Sequence, residues 1–479
     1  MSLDAIGLEN FRGFSKASIA LKPLTVLLGA NSSGKSSFGN AMAAMAYAHY
    51  FYGSSGKANL TPDQNGSKDW PVDLGTLDDL RTYGASGPVS VEFDTSAGSV
   101  KWGFGLDSNK SQTRDLLVSN IEWPRGLEDS LGQIPQSSEP SFLQPVAASG
   151  TVSAGLVERP RSDSHRIFSR LNSQQWLELP GNRETRVELL GLAVNSVTHI
   201  GGTSVGLNVP VLKEICQILQ QLTYLRATRI RPNRAYDKSR ISAPQVIGYD
   251  GQGTARVLHE RGNEGLIVKL PPVISKSLAE ITSLVDKNWE DNHYTLLEAV
   301  SIWLHRMDLA DSIEAVLSKD DQSLLQLHLK LPRQQMHDIT EVGFGVSQVL
   351  PVLVAGLLQP KDSLFIVDLP EAHLHPRPQA ELADFFCSLA LADRSVLVET
   401  HSEMFINQLR LRAELTPELK EKIALYFIDP PIDGACRPPR HVDLGMEGEM
   451  QWPAEFMQEA WEIETKISAV QEARKKTLG

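Results

Sequence analysis

The chain has 479 residues, of which 41% are hydrophobic and 22% are charged, and its formal net charge is −12. This length predicts two or three domains, and the composition is that of an ordinary globular protein in water. The negative charge argues against a surface coated for duplex DNA, because that binding relies on many lysines and arginines that contact phosphates.

Cysteine usage and the N-terminal sequence predict the compartment. Cys216, Cys387 and Cys436 lie far apart and form no CxxC pair, which is typical of a reducing environment without disulfides or a zinc ribbon. The N-terminus lacks the basic start and apolar core of a signal peptide, and no apolar run reaches membrane-spanning length. We therefore expect a cytoplasmic protein that does not bind a membrane.

The first part of the chain predicts a strand, a loop and a helix. "PLTVLL" at 23–28 is an apolar run suited to a buried parallel strand, and "SFGNAMAAMAYAHYF" at 37–51 has the composition of a helix. Residues 53–70 and 104–165 are rich in Gly, Ser, Pro, Asn and Gln, which indicates long loops or poorly ordered insertions.

The later segments predict a mixed region and then a regular alternation. Apolar residues recur at helical spacing over about 175–225, and two or more helices are expected over 276–318. Residues 324–331, "LLQLHLKL", alternate as a half-buried strand does. Strands and helices alternate from about 340 to 430, and the tail predicts an amphipathic helix.

The segment "GANSSGKS" fits the pattern G-x-x-x-x-G-K-[ST] and lies between the predicted strand and helix. Glycines let such a loop turn its backbone N–H groups towards phosphate oxygens, and the helix N-terminus attracts the same charge. Lys35 is expected to contact the β and γ phosphates, and Ser36 to ligate Mg²⁺. The alternative, a chance Gly/Ser-rich turn, does not explain the strand and helix on either side. The predicted nucleotide-binding residues are Gly29, Asn31, Ser32, Ser33, Gly34, Lys35, Ser36 and Ser37.

Two further strands are predicted to end at the same site. "SLFIVD" is an apolar strand that ends at Asp368, and "SVLVETHS" is another that leads to His401. Ligands of open α/β sheets lie at the carboxyl ends of the strands. We therefore expect Asp368 to hold Mg²⁺ through water and His401 to sense the γ-phosphate, although a structural role for His401 alone stays open.

The segment "EVGFGVSQVLPVLVAGL" at 341–357 predicts a glycine turn followed by an apolar helix. Ser347 is expected to be the N-cap of that helix, and Pro351 to lie in its first turn, where a missing N–H costs little. Such a capped helix is either simple packing or a second helix end that attracts anions.

Five segments, taken in order, resemble the ABC-type ATPase heads of the RecF, Rad50 and OLD (overcoming lysogenization defect) class, and most of all its short AAA-family members. They are "LENFRGF", "LTVLLGANSSGKSS", "GFGVSQVLP", "IVDLPEAHLHP" and "VLVETHS". The resemblance implies a doubly wound α/β P-loop ATPase head, split by a mixed α+β insertion and followed by a small C-terminal helical addition. The expected head parts are 1–103 and 336–430. The insertion is expected over 104–335 (loop-rich over 104–165, mixed over 166–335), and the addition over 431–479.

In that class a glycine-rich signature contacts the γ-phosphate bound on another subunit, which implies a homodimer, or a higher oligomer, around ATP and Mg²⁺. The corresponding residues here are Gly343, Gly345, Ser347 and Gln348. The resemblance implies a sensor or clamp that signals to a separate effector, a nuclease or toxin, in phage defence or DNA repair. The alternative is a scaffold that is gated by ATP and hardly hydrolyses it. The Asn31 form of the loop and the segments "GFGVSQ" and "ETHS" argue against a small-molecule kinase.

Three departures from that class shape the expected activity. The sequence has no sustained heptad pattern for a long coiled-coil tether. The residues after His401 lack the acidic cluster of a Toprim nuclease, so none is expected. Leu369 stands where many relatives have an acidic or polar residue, and a leucine cannot accept a proton. We therefore expect slow hydrolysis, with His401 and Glu371 as the catalytic candidates that orient water.

Two clusters keep alternative interpretations. His373 and His375, together with Glu371, have the spacing of metal ligands, but no second cluster completes a four-ligand site. The basic stretch at 226–240 is either a solvated face or a contact for nucleic acid or an acidic partner surface.

Overall fold

The computed structural model describes the chain in several stretches. They are 3–52, pieces of 72–106, 210–238, 247–263, 267–269, 293–332 and 334–443, with further strands between 116 and 206. The strands in chain order are β1 Leu3–Phe11, β2 Phe14–Ala20, β3 Leu24–Gly29, β4 Val89–Thr95, β5 Gly98–Leu106, β6 Leu116–Glu122, β7 Thr151–Ser153, β8 Gln174–Leu179, β9 Arg183–Leu190, β10 Ala193–His199, β11 Ser204–Gly206, β12 Thr223–Leu225, β13 Tyr236–Asp237, β14 Ile267–Lys269, β15 His293–Thr295, β16 Ser312–Leu317, β17 Leu324–Lys330, β18 Met336–Asp338, β19 Leu364–Asp368, β20 Ser395–Glu399, β21 Ile423–Ile428 and β22 Arg440–Val442.

The helices lie mostly in the second half of the chain. They are α1 Ser36–Tyr52, α2 Leu77–Leu80, α3 Pro210–Gln220, α4 Thr254–Asn263, α5 Leu296–Arg306, α6 Phe344–Leu358, α7 Pro376–Leu391, α8 Glu403–Leu415 and α9 Pro417–Lys422, and a 3-10 turn spans Ile339–Glu341. Among these helices, none has the length and apolar character that a membrane span requires.

A six-stranded sheet forms the centre of the head. Its strands lie in the order β12-β19-β20-β3-β21-β22, and all but β22 run parallel. The strands are continuous apolar runs because both faces are covered. In β19, Leu364 and Ile366 pack into one core, while Phe365 and Val367 pack into the other. This arrangement confirms the expected doubly wound α/β head.

Each face of the sheet has its own helices. One core contains α1, α3 and the hairpin of β1 and β2. The other contains α5 to α8 and is rich in aromatic contacts, such as the edge-on pair of Trp303 and Phe385, whose ring centroids lie 5.1 Å apart. The helix α1 begins directly after the P-loop, so the packing of its buried side fixes that loop to the sheet.

A ten-stranded antiparallel sheet joins the N-terminal strands β1 and β2 to strands β4 to β11. Its order is β11-β10-β9-β8-β7-β6-β5-β4-β1-β2. Strands β6 and β7 occur in the segment 104–165 that was expected to be loops, and β5 crosses the expected boundary at residue 103. The helical spacing expected over 175–225 is wrong for β8 to β11 and holds only for α3. In short apolar runs, periodicity alone does not distinguish a strand from a helix.

Other segments test the remaining sequence expectations. The strand expected at 324–331 is confirmed as β17. Of the region 276–318, where two or more helices were expected, residues 276–292 lie outside the described residues, and the rest contains helix α5 and then strand β16. The helical addition expected from residue 431 instead begins with strand β22, which extends the head sheet beside β21. The expected loop at 53–70 and the tail at 444–479 lie outside the described residues.

A buried ion network joins three helices, α5, α7 and α8. Asp384 of α7 is fully buried and accepts hydrogen bonds from Arg412 Nε at 2.8 Å and Nη2 at 2.7 Å, both on α8. Gln408 Nε2 donates to it at 2.8 Å, and Arg306 Nη2 of α5 donates at 3.4 Å. One carboxylate therefore holds three helices together.

We predict that Asp384→Ala lowers the free energy of unfolding by about 3–5 kcal/mol, because it leaves the buried Arg412 charge without its carboxylate. Urea unfolding measures this change. Glu414→Gln is the control: it removes the half-exposed ion pair to Lys420 and should cost less than about 1 kcal/mol. Equal unfolding midpoints for the two variants would contradict the structural role of this network.

Candidate functional site

Three parallel strands end side by side at one edge of the central sheet. Asp368 at the end of β19 is paired with Glu399 at the end of β20, and Glu399 is paired with Leu27 of β3. The P-loop follows β3 directly. The strand register therefore brings the P-loop, Asp368 and Glu399 together.

The two glycines of the P-loop motif occupy positions where other residues would be strained. Gly29 has a φ of +146°, and a Cβ added there would lie 2.2 Å from the carbonyl oxygen of Ile428. Gly34 has a φ of +99°, and its Cβ would lie 2.8 Å from the Phe14 ring and 3.1 Å from Cys436 Sγ. The loop therefore needs glycine at both positions, as its sequence pattern predicted.

Lys35 folds back over the loop that precedes it. The side chain is only 3% exposed, and Nζ donates to the carbonyl oxygens of Gly29 at 3.0 Å and Ala30 at 2.5 Å. Burial lowers the pKa of Lys35, and the nearby Glu399 charge opposes this shift. The ammonium group therefore lies on the inner side of the loop, where phosphate oxygens can replace the two carbonyls.

The other P-loop residues divide between solvent and interior. Asn31 and Ser32 are exposed, and Ser32 has a left-handed φ of 61°. Ser33 is buried and, within the described residues, its hydroxyl has no hydrogen-bond partner. The Ser37 N–H donates to the Gly34 carbonyl at 3.0 Å, which begins the first turn of α1.

Two buried carboxylates lie beside Ser36 in different environments. The Ser36 hydroxyl donates to Glu399 Oε1 at 3.0 Å, while Asp368 Oδ2 accepts from the Tyr224 hydroxyl at 2.6 Å. Burial and the neighbouring Glu399 raise the pKa of Asp368 to about 7, and burial also raises the pKa of Glu399. Sequence reasoning missed Glu399, although a carboxylate at the end of an apolar strand is the same signal that identified Asp368.

One member of the basic stretch at 226–240 points into the site. Arg229 is 4% exposed and donates to the carbonyl oxygens of Asp368 at 2.8 Å and Leu369 at 3.4 Å. Burial lowers its pKa to about 10. Arg231 and Lys238 are exposed, so the two interpretations, a solvated face or a docking contact, apply only to such outward side chains. The sequence alone did not show that Arg229, unlike its basic neighbours, points inward.

The loop after Asp368 has a fixed backbone. Leu369 has a left-handed φ of 44°, and its N–H donates to the Glu399 carbonyl at 2.8 Å. Glu371 Oε1 accepts from Thr400 Oγ1 at 2.7 Å and from the His401 N–H at 2.9 Å. The second oxygen of Glu371 is buried and, within the described residues, unpartnered. Glu371 and the His401 backbone therefore lie in direct contact.

His401 lies at the surface beside the P-loop. Burial of part of the ring, followed by the Lys35 charge, lowers its pKa, and a hydrogen bond with the Gly29 backbone opposes this shift. The following residue, Ser402, accepts from the Phe405 N–H at 3.0 Å and so caps α8. The structure thus brings His401, Lys35 and Glu371 to one site.

The signature segment differs from its predicted form in two details. The helix α6 begins at Phe344 with Gly343 as its N-cap, so Ser347 is not the cap. The Ser347 hydroxyl is buried and donates to the Phe344 carbonyl at 2.7 Å. It thus bonds to the backbone within its own helix and does not cap a free N–H group at the helix start. Pro351 lies in the helix interior, not in the first turn, and packs against Gly251.

Gly345 and Phe344 contact the loop after Asp368, whereas Gln348 contacts the loop after β12. A Cβ on Gly345 would lie 2.6 Å from the His373 carbonyl oxygen, and the rings of Phe344 and His373 meet edge-on at 4.8 Å. Gln348 is buried and donates to the Ile230 carbonyl at 3.2 Å. The exposed part of the signature is therefore Gly343 and Phe344.

The histidines of the "EAHLHP" segment are exposed, and His375 is the N-cap of α7. In the described part of the chain, His, Cys, Asp and Glu side chains nowhere form a group of three that could hold a metal ion.

A cation at the P-loop would therefore need phosphate oxygens or water among its ligands. Mg²⁺ usually binds in this way, through one or two carboxylates and the phosphates of its nucleotide. The Ser36 hydroxyl and the two buried carboxylates are all oxygen donors and fit such an ion.

Comparison with known proteins gives two family matches. A model described as "AAA ATPase domain" matches residues 1–114, and one described as "AAA domain, putative AbiEii toxin, Type IV TA system" matches residues 267–407. The first range contains the P-loop, and the second contains the signature segment, Asp368 and His401. The curated proteins include no significant match.

Solved structures with similarity to the chain include heads of SMC proteins. The SMC head domain from Thermotoga maritima is 11% identical, with a TM-score of 0.34, over 92% of this chain and 99% of that one. The Smc head domain with an extended coiled coil, bound to the C-terminal domain of ScpA derived from Pyrococcus furiosus, is 10% identical, with a TM-score of 0.40, over 98% and 99%.

The P-loop, the order of the central strands and the two family matches agree with an ABC-type ATPase head of the AAA class. This confirms the resemblance drawn from the sequence segments.

We predict that Lys35→Ala weakens ATP binding at least about a hundredfold, because charge-assisted hydrogen bonds to the β and γ phosphates contribute roughly 1.5–3 kcal/mol each. Equilibrium binding of a fluorescent ATP analogue measures the loss. Lys361→Ala, which removes an exposed lysine, serves as the control and should bind as the parent does. Equal affinity in Lys35→Ala and the parent would show that the phosphate site is assigned wrongly.

Proposed function

We propose that the chain binds MgATP, forms a homodimer around the nucleotide and hydrolyses it slowly. In this proposal the nucleotide-bound dimer acts as a sensor or clamp, and its state is passed to a separate effector protein. The work takes place in the cytoplasm, in phage defence or DNA repair. The resemblance to the RecF, Rad50 and OLD class supports this proposal together with the geometry of the site.

The phosphate site supports ATP binding. Lys35 and the N-terminus of α1 supply positive charge, and Gly29 and Gly34 allow the backbone of the loop to take the curved path that phosphate binding needs. Ser36 and Asp368 would hold Mg²⁺, which supplies charge neutralisation at the β and γ phosphates. His401 lies beside Lys35, where it can orient the γ-phosphate or the attacking water.

The observation that best supports the dimer is the exposed start of α6. Gly343 is the N-cap, and no side chain caps the first N–H groups. Phe344 next to it is 39% exposed, so an apolar surface lies beside this helix start. An uncapped helix N-terminus attracts anions, so the γ-phosphate of a partner subunit is a suitable ligand for it.

The site also supports slow turnover. Position 369 carries a leucine, and general-base catalysis contributes roughly a hundred- to ten-thousandfold when a base is present. Positioning and charge stabilisation by Lys35, the cation and the opposing signature would remain, and these dominate phosphoryl transfer. Glu371 and His401 are the groups left to orient water.

The proposals about the effector and about nucleic-acid binding are supported by less specific features. Arg231, Arg234 and Lys238 are exposed on the basic stretch, which suits an acidic partner surface or a nucleic-acid backbone. The name of the second matched family includes a toxin of a toxin–antitoxin system, which suits an effector of the nuclease or toxin type.

The rival function is an ATP-gated scaffold that assembles partners without turnover. The leucine at position 369 favours it as much as it favours slow hydrolysis. Steady-state phosphate release separates the two functions, because the scaffold would show none even with its partner present.

We predict that Gly343→Arg abolishes the MgATP-dependent dimer and leaves ATP binding by the monomer unchanged. The backbone at Gly343, with φ −57° and ψ 137°, suits any residue, and an added Cβ meets no atom within 4 Å. Sedimentation velocity with a non-hydrolysable ATP analogue measures the mass. Ser347→Arg is a poorer test, because Ser347 is buried within its own chain.

Gly343→Ala is the matched control and should dimerise as the parent does, since a methyl group leaves the helix start open. If Gly343→Arg dimerises with MgATP as well as the parent, the signature does not form the interface.

We predict that Leu369→Glu raises steady-state phosphate release at least about tenfold, because it restores part of the contribution of a general base. The backbone at this position is already left-handed, so glutamate adds no strain that leucine lacks. Brisk turnover by the parent that is abolished in Glu371→Gln, with ATP binding intact, would instead place the base at Glu371.

A further inference from the structure

Glu399 is a buried carboxylate that the usual elements of an ATPase head do not explain. It ends β20, the strand that lies between the P-loop strand and the Asp368 strand. The side chain is 8% exposed and contacts the P-loop through Ser36. We propose that Glu399 is a direct ligand of the divalent cation that binds with ATP, on the side of Ser36. This inference rests on the proposed binding of MgATP.

The distance between Ser36 and Glu399 fits a shared ion. Their oxygens, Ser36 Oγ and Glu399 Oε1, lie 3.0 Å apart. An octahedral Mg²⁺ with bonds of about 2.0–2.1 Å holds neighbouring ligand oxygens about 2.9 Å apart. The two oxygens can therefore take adjacent positions around one ion without movement of the backbone.

The second oxygen of Glu399 also indicates an absent positive partner. Oε2 is buried and, among the described residues, has no hydrogen-bond partner. Buried polar atoms nearly always have such a partner, and an unpaired carboxylate is costly. Lys35 is close enough to act on Glu399 electrostatically, but its ammonium group donates to the carbonyls of Gly29 and Ala30. A bound cation would satisfy the carboxylate.

Asp368 alone does not fill this role. Tyr224 donates to its Oδ2, and Asn40 Oδ1 lies 3.1 Å from the same hydroxyl, so this side of Asp368 is turned towards β12 and α1. Asp368 and Glu399 are register neighbours, and two buried like charges this close repel each other unless a cation lies between them. The pair therefore provides both the oxygens and the charge for one divalent ion.

The decisive variant is Glu399→Gln, which keeps the size of the side chain and its acceptor for Ser36 but removes the charge. Binding of a fluorescent ATP analogue is measured in EDTA and in Mg²⁺, and binding of Mn²⁺ to the protein with ATP is measured by electron paramagnetic resonance. We expect Mn²⁺ affinity and the gain in ATP affinity from Mg²⁺ to fall about ten- to a hundredfold. Affinity in EDTA should stay the same or rise, because a negative charge near the phosphates is lost.

Two further variants complete the test. Glu421→Gln removes an exposed charge on α9 and should change none of these constants. Glu399→Asp keeps the charge but withdraws the carboxylate from Ser36, and an intermediate Mn²⁺ affinity supports direct ligation. Thermal unfolding checks that each variant folds, and Glu399→Gln should unfold no earlier than the parent.

Several outcomes would overturn the inference. Unchanged Mn²⁺ affinity in Glu399→Gln shows that the residue does not contact the cation, and if turnover alone is lost, Glu399 acts on water instead. An equal change in EDTA and in Mg²⁺ shows a general electrostatic effect on the phosphates. If the parent itself fails to bind ATP, the proposed function fails first, and that result is distinct from a metal defect confined to Glu399→Gln.

Discussion

Parallel pairing of β19, β20 and β3 places three strand ends at the same edge of the sheet, and the register of this pairing decides where each charge lies. Successive side chains of a strand point to opposite faces, so a slip of one residue would turn Asp368 or Glu399 into an apolar core. Because both faces of these strands are buried, the two cores hold the register firmly. The charged site is thus fixed by apolar packing.

A fourth strand, β12, extends this control to the backbone around Asp368. Tyr224 of β12 contacts the carboxylate of Asp368, and Arg229, in the loop that follows β12, donates to the carbonyls of Asp368 and Leu369. A guanidinium group suits this role because it donates several hydrogen bonds in one plane. The left-handed turn at Leu369, which is unfavourable for a leucine, persists because these contacts and the Glu399 carbonyl fix it. The segment with β12 and Arg229 therefore shapes the loop after Asp368.

The elements that the sequence predicted well are those with strong local signals. The P-loop, its strand and helix, and the strand ending at Asp368 depend on residues that are neighbours in the chain. The antiparallel strands β8 to β11 were missed because their pairing is nonlocal and their apolar spacing also suits a helix. Arg229 was grouped with exposed basic residues because burial is decided by packing, which residue type alone does not reveal. The start of α6 was placed too late because Ser347 is a good cap in isolation, whereas the helix begins directly after Gly343 without a side-chain cap.

The residues that pack beneath the P-loop determine when the loop can reach its final structure during synthesis. Gly29 packs against the Ile428 carbonyl, and Gly34 packs against Cys436, so residues from near the end of the described chain complete a loop near its beginning. During synthesis the loop leaves the ribosome long before these residues exist, and domains fold as units once their parts are available. The nucleotide pocket therefore acquires its final shape only when translation of the head is nearly complete. Nucleotide binding can then distinguish a finished head from a nascent fragment.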